Sequence, residues 1–127
     1  MTGGTEWLID AFDCAAAQLA NRAAIAGLLA DAVAQLHLTV VNQTDHQFPE
    51  PPGITAMVLL AESHLTIHTF PEAQVATINL YCCAPSALHH NFDWSAFCAK
   101  HLGARSTQIT VAERGSRVAL EKASVAS

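Results

Sequence analysis

The segment LLAESHLTIHTFPE, residues 59 to 72, places a serine, two histidines, two threonines and two glutamates beside an apolar run of buried-strand type. Hydroxyls, imidazoles and carboxylates are the groups that carry acyl and proton transfer, so chemistry is sought here first. Ser63 has no G-x-S-x-G elbow around it and no adjacent glycine, so it does not fit the usual hydrolase nucleophile. Directly after Glu62, its hydroxyl suits a different reaction, attack on its own preceding peptide bond. Oγ adds to the Glu62 carbonyl carbon, and the acyl group moves from nitrogen to oxygen. The ester makes the Ser63 Cα proton removable by a base. Elimination then frees the upstream chain and leaves dehydroalanine, which hydrolyses to a pyruvoyl group with release of ammonia. The sequence of steps needs a held hydroxyl, an oxyanion donor and a base. His68 can serve as the base and Thr55 as a supporting hydroxyl.

Other groups in the segment have plainer readings. On a helix, H-x-x-x-H would gather His64 and His68 around one metal ion. The intervening Leu-Thr-Ile favours a strand, where the two lie about 13 Å apart, too far for one ion. Either histidine alone reads as a hydrogen-bonded structural residue. Cys82 and Cys83 point to opposite faces of a strand, and each alone reads as packing. Cys14, Cys82, Cys83 and Cys98 show no C-x-x-C pair and no zinc spacing, as expected of reduced thiols. His89 and His90 fall in a predicted loop and are expected to be solvated.

The elements that must hold these groups follow from periodicity. EWLIDAF (6–12) predicts a strand. Residues 15–36 place Ile25, Leu28, Leu29, Ala32, Val33 and Leu36 at helical spacing, predicting one amphipathic helix with Asp13 as its cap. LHLTVVNQ (36–43) predicts a strand, and TDHQFPEPPG (44–53) a loop. ITAMVLLAE (54–62), HLTIHTF (64–70) and VATINLYCC (75–83) predict three strands joined by short turns, hence antiparallel. A helix runs from about Asp93 to Gly103, and STQITVAE (106–113) is the last strand. The polar tail over 117–127 is expected to be flexible.

This is one α+β domain over 1–127, a two-layer α/β sandwich whose antiparallel sheet carries helices on one face. Alternation turns Leu65, Ile67, Thr69, Ala76, Ile78, Leu80 and Cys82 one way, toward the helices. It turns His64, Thr66, His68, Phe70, Val75, Thr77, Asn79, Tyr81 and Cys83 the other way. A sheet face bearing His68 and Cys83 is a candidate site, or half of a dimer interface.

Composition narrows the partners. Hydrophobic residues make up 51% of the chain and charged residues 13%, which excludes a disordered chain and favours burial against a second copy. The net charge is -5 and the six basic residues form no run, so nucleic acid is not an expected partner. The opening MTGGTEWLIDAF lacks a basic segment followed by an apolar one, and no apolar run reaches membrane-spanning length. The expected location is cytoplasmic.

AESHLTIHTFPE closely resembles the cleavage-site motif of prokaryotic S-adenosylmethionine decarboxylase proenzymes. GTEWLIDAFDC resembles that family's opening strand, and HQF followed by GIT its approach to the central strand. INLYCC resembles its cysteine-bearing strand and AERG its closing strand, so the likeness spans about residues 4 to 115. The resemblance implies cleavage between Glu62 and Ser63, giving chains 1–62 and 63–127, with Ser63 becoming a covalent pyruvoyl cofactor. It implies His68 as proton acceptor in processing, Thr55 as an assisting hydroxyl and Cys83 as proton donor in decarboxylation. Phe48, Phe70 and Glu72 match positions near the adenosyl pocket. The substrate amine would form a Schiff base with the pyruvoyl ketone, and the product would serve spermidine and polyamine synthesis. The family fold dimerises through its sheets, with sites at or near the interface.

The chain departs from the family at several places. Phe70 stands where tryptophan is usual, Asn79 where aspartate is common, and Ala56 and Ala84 where glycine is common. Glu6 and Trp7 replace the usual histidine near the start. Some relatives decarboxylate ornithine or arginine with the same pyruvoyl chemistry, so that substrate class is the alternative. An uncut, non-catalytic homologue that only binds a partner is a third reading.

Overall fold

The structure is a computed structural model that describes residues 3–115. Six strands build one sheet: β1 (Gly4–Phe12), β2 (Val40–Gln47), β3 (Ile54–Leu60), β4 (Ser63–Phe70), β5 (Val75–Cys82) and β6 (Ser106–Arg114). Their spatial order is β2-β3-β4-β5-β1-β6, and every neighbouring pair is antiparallel. Helices α1 (Ala16–Leu19), α2 (Arg22–Gln35), α3 (Ala87–His90) and α4 (Trp94–Leu102) complete the described elements. No described helix is long and apolar enough to cross a membrane. The expected flexible tail over 117–127 lies outside the described residues.

Alternation decides which sheet face is dry. Trp7, Ile9, Ala11, Ile54, Ala56, Val58, Leu65, Ile67, Ile78 and Leu80 are buried under Ile25, Leu28, Leu29, Trp94, Phe97 and Leu102 of the helices. At roughly 1.5–3 kcal/mol for each large apolar side chain removed from water, this layer is the main source of stability. The face assignments for β4 and β5 made from the sequence hold. Thr69, buried with that set, donates from Oγ1 to the Leu19 carbonyl (2.7 Å) and accepts from the Ile54 N–H (2.9 Å). Its hydroxyl thus ties α1 to β3 and β4.

Four sequence expectations change. The helix read as 15–36 is two, because Asn21 leaves the helical conformation and caps α2, accepting from the Ala24 N–H at 3.0 Å. Asp13 is no cap: it sits at φ 53°, turning the chain out of β1. The second strand runs 40–47 rather than 36–43. Residues 36–38 instead close α2, with His37 at φ 53° and the Leu38 N–H donating to the Val33 carbonyl. His89 belongs to α3 and is half-buried, its Nδ1 accepting from the Ser86 N–H at 2.9 Å. Burial holds its imidazole below the usual histidine range.

Candidate active site

β3 and β4 are joined by a two-residue hairpin loop, because Leu60 pairs directly with Ser63. Ala61 and Glu62 form the tip, and Glu62 has φ 61°, a left-handed conformation that costs a non-glycine residue about 1–2 kcal/mol. Ser63 is therefore the first residue of β4, half-buried, with Oγ donating to the Ala61 carbonyl at 3.4 Å. On its other side Ser63 pairs with Cys82. Cys83 follows immediately, half-buried, in the bend just past β5. Glu62, Ser63 and Cys83 thus gather at one end of the sheet.

His68 lies elsewhere. It stands exposed on the open face of β4, between Thr55 of β3 and Thr77 of β5 in register. Its Nδ1 is 3.2 Å from Thr55 Oγ1. Phe70 ends the same strand on the same face, exposed, and Glu72 is exposed in the turn beyond it. Phe48 joins this end through its N–H, which donates to the Gly53 carbonyl just before β3, and its ring meets His46 edge-on at 4.8 Å. Thr55, His68, Phe70, Glu72 and Phe48 form a second group.

The two groups do not meet within one chain. Ser63 and His68 are five steps apart along the strand, about 16 Å, and an odd number of steps turns their side chains to opposite faces. The sequence had predicted both sets of residues but not their separation. The alternation that assigned His68 to the open face assigns Ser63 to the other.

The open face carries further chemistry. His64 stacks on Tyr81, ring centroids 5.6 Å apart and nearly parallel at 11°. The Asn79 amide donates to Glu6 Oε2 (2.8 Å), and Arg114 donates to Glu6 Oε1 (2.6 Å). Two departures from the resembled pattern, at positions 6 and 79, are therefore in contact. First the Asn79 amide and then Arg114 hold the Glu6 carboxyl below the usual carboxylate range, against its partial burial. Cys82, on the helix side, is pushed up to about 11 by burial and keeps its proton at neutral pH.

A family model described as S-adenosylmethionine decarboxylase matches residues 5–115. The S-adenosylmethionine decarboxylase proenzyme of Prochlorococcus marinus is 34% identical over 85 residues, 67% of this chain and 67% of that one. That of Picrophilus torridus is 32% identical over 116 residues, 91% of this chain and 86% of that one. With several other curated relatives the match spans between 58% and 62% of their length. The crystal structure of the adenosylmethionine decarboxylase from Aquifex aeolicus superposes with a TM-score of 0.78 at 31% identity, covering 91% of this chain and 92% of that one.

Proposed function

The chain belongs to the S-adenosylmethionine decarboxylase family, and on that premise we propose that it is a self-processing, pyruvoyl-dependent decarboxylase of S-adenosylmethionine. The observation that carries the reading is the hairpin tip, where Ser63 directly follows a left-handed glutamate and its hydroxyl turns back to the Ala61 carbonyl. Ser63 Oγ adds to the Glu62 carbonyl carbon, and the Cα proton then passes to a His68 nitrogen. Thr55 Oγ1, hydrogen-bonded to that ring, orients it. When formed, the pyruvoyl group supplies an electron-withdrawing carbonyl that takes up the charge released as carbon dioxide leaves. The site fits such a group, since residue 63 is small, half-buried and next to the strand end that carries a thiol. Cys83 holds on Sγ the proton that returns to the former α-carbon. Cys82 does not compete, being on the other face and buried.

Since about 16 Å separates Ser63 from His68 in one chain, the base comes from a second copy. The open face bears Leu8, Met57, Leu59 and Phe70, each 40–53% exposed, an apolar surface suited to burial against another such face. A two-fold pair laid face to face sets the strand end of one copy that carries Ser63 and Cys83 over the Thr55, His68 and Phe70 end of the other, so that His68 approaches the Ser63 backbone at Cα from the open face while Oγ stays on the helix side. Phe48, Phe70 and Glu72 then meet the substrate beside the partner copy's cofactor. The names of the relatives favour S-adenosylmethionine over ornithine or arginine.

Denaturing mass spectrometry tests the processing. Two chains of 62 and 65 residues are expected, the second with a blocked, pyruvoyl-bearing start at position 63. One uncut chain in a freshly made preparation overturns the reading. Carbon dioxide release, assayed in parallel on S-adenosylmethionine, ornithine and arginine, tests the substrate, and Cys83→Ala is expected to cleave yet release none.

A further inference from the structure

We propose that His64 and Tyr81 are positioning residues that hold the new chain end created by self-cleavage beside Cys83. The inference rests on the processing reading above. Before the cut, Ser63 is fixed by the hairpin that joins it to Leu60. After the cut, residue 63 is a chain terminus, and termini fray unless something ties them down. A cofactor on a fraying end would lose the close alignment that proton delivery needs.

The first side chain after the cut is His64. It pairs in register with Tyr81 and stacks on its ring, and Cys83 is two residues beyond Tyr81, just past the end of β5. The tyrosine is itself wedged from the other side. A Cβ built on Gly4 of β1 would come within 3.0 Å of the Tyr81 Cζ and hydroxyl, and within 2.5 Å of the Cys82 carbonyl oxygen. Gly4 therefore lets β1 press directly on the tyrosine ring and on the peptide that leads into Cys83. The layers run from the Gly4 backbone to the Tyr81 ring to the His64 ring. They join the strand that carries the cofactor to the strand that carries the thiol. The intact hairpin already does this work before cleavage, so the stack becomes decisive only afterwards.

The test compares wild type, His64→Ala and His64→Phe as full, self-processed proteins. His64→Ala is expected to cut at the wild-type rate. In the cut protein, hydrogen exchange at the amides of residues 64–66 should rise about tenfold, the order of one lost aromatic stack. The kcat should fall by a similar factor with KM little changed. His64→Phe keeps a flat ring and should restore both, and Tyr81→Phe should behave as wild type. Wild-type exchange and kcat in cut His64→Ala would overturn the proposal. So would equal loosening before the cut, in a Ser63→Ala background, because the stack would then be a general packing contact. Wild-type chain that never cuts would remove the parent reading, and this one with it, as a separately recognisable result.

Discussion

If catalysis joins the Ser63 end of one copy to the His68 end of another, two inactive variants should repair each other. The perturbation is to make Ser63→Ala and His68→Ala copies together in equal amounts, with tags of different mass. Within one chain the serine and the histidine are five strand residues apart, about 16 Å, whereas proton abstraction needs about 3 Å. Neither variant alone should cleave. A mixed pair contains one composite site in which the serine of the His68→Ala copy faces the histidine of the Ser63→Ala copy. Its other composite site lacks both groups. Random pairing makes about half of all pairs mixed, so about half of the His68→Ala copies, and none of the Ser63→Ala copies, should be cut. Intact mass under denaturing conditions reads this directly, because the tags report which copy was cleaved. Absence of any cut in the mixture, with wild type cutting normally, would refute the two-copy site. Cleavage of His68→Ala produced alone would refute His68 as the base.

Three further outcomes follow from packing and charge. Thr69→Val should lower unfolding stability by about 2 kcal/mol in urea titration, since it strands the Ile54 N–H and the Leu19 carbonyl in the dry layer. Gly4→Ala should destabilise the fold and reduce soluble yield, because its Cβ would lie 2.5 Å from the Cys82 carbonyl oxygen. Glu6 has its folded pKa held below the ordinary carboxylate value of 4.5, mainly by Asn79, so its contribution is present above that value and disappears as pH falls through the lowered one. Asn79→Leu should therefore unfold more easily than wild type at about pH 7, with the difference shrinking toward about pH 3 in paired urea titrations.

Much of this was legible in the sequence because β4 alternates strictly and β5 nearly so, which fixes element type and face, while the continuous apolar run of β3 marks a strand without marking its exposed face, where Met57 and Leu59 lie. The edge was less legible. Residues 44–47 of β2 are Thr, Asp, His and Gln, and a polar edge strand looks like a loop until its neighbour is known. The break at Asn21 was hidden by apolar spacing that continues across it, although asparagine is a strong cap. His89 gave no signal of burial because its four-residue helix has no apolar period of its own. At the site, residue types singled out Ser63 and His68, and the family resemblance pointed to Cys83 and Thr55, but neither announced that they form two groups. The strand arithmetic that separates His64 from His68 by about 13 Å applies equally to Ser63 and His68. The contact between Glu6 and Asn79 depends on β1 lying beside β5, which no local pattern announces.

The strand order has a consequence for the life of the molecule. A cut between Glu62 and Ser63 leaves β1, β2 and β3 on one fragment and β4, β5 and β6 on the other. Across the sheet, β1 of the first fragment lies between β5 and β6 of the second. The fragments are therefore interleaved, and separating them breaks three strand seams at once: β3 with β4, β5 with β1, and β1 with β6. Under the proposed processing, the cut would sever the backbone without releasing a piece. It would also change the order of the refolding reaction. The uncut chain folds at a rate independent of its concentration, whereas the cut protein, once denatured, would have to find its other half by a second-order encounter.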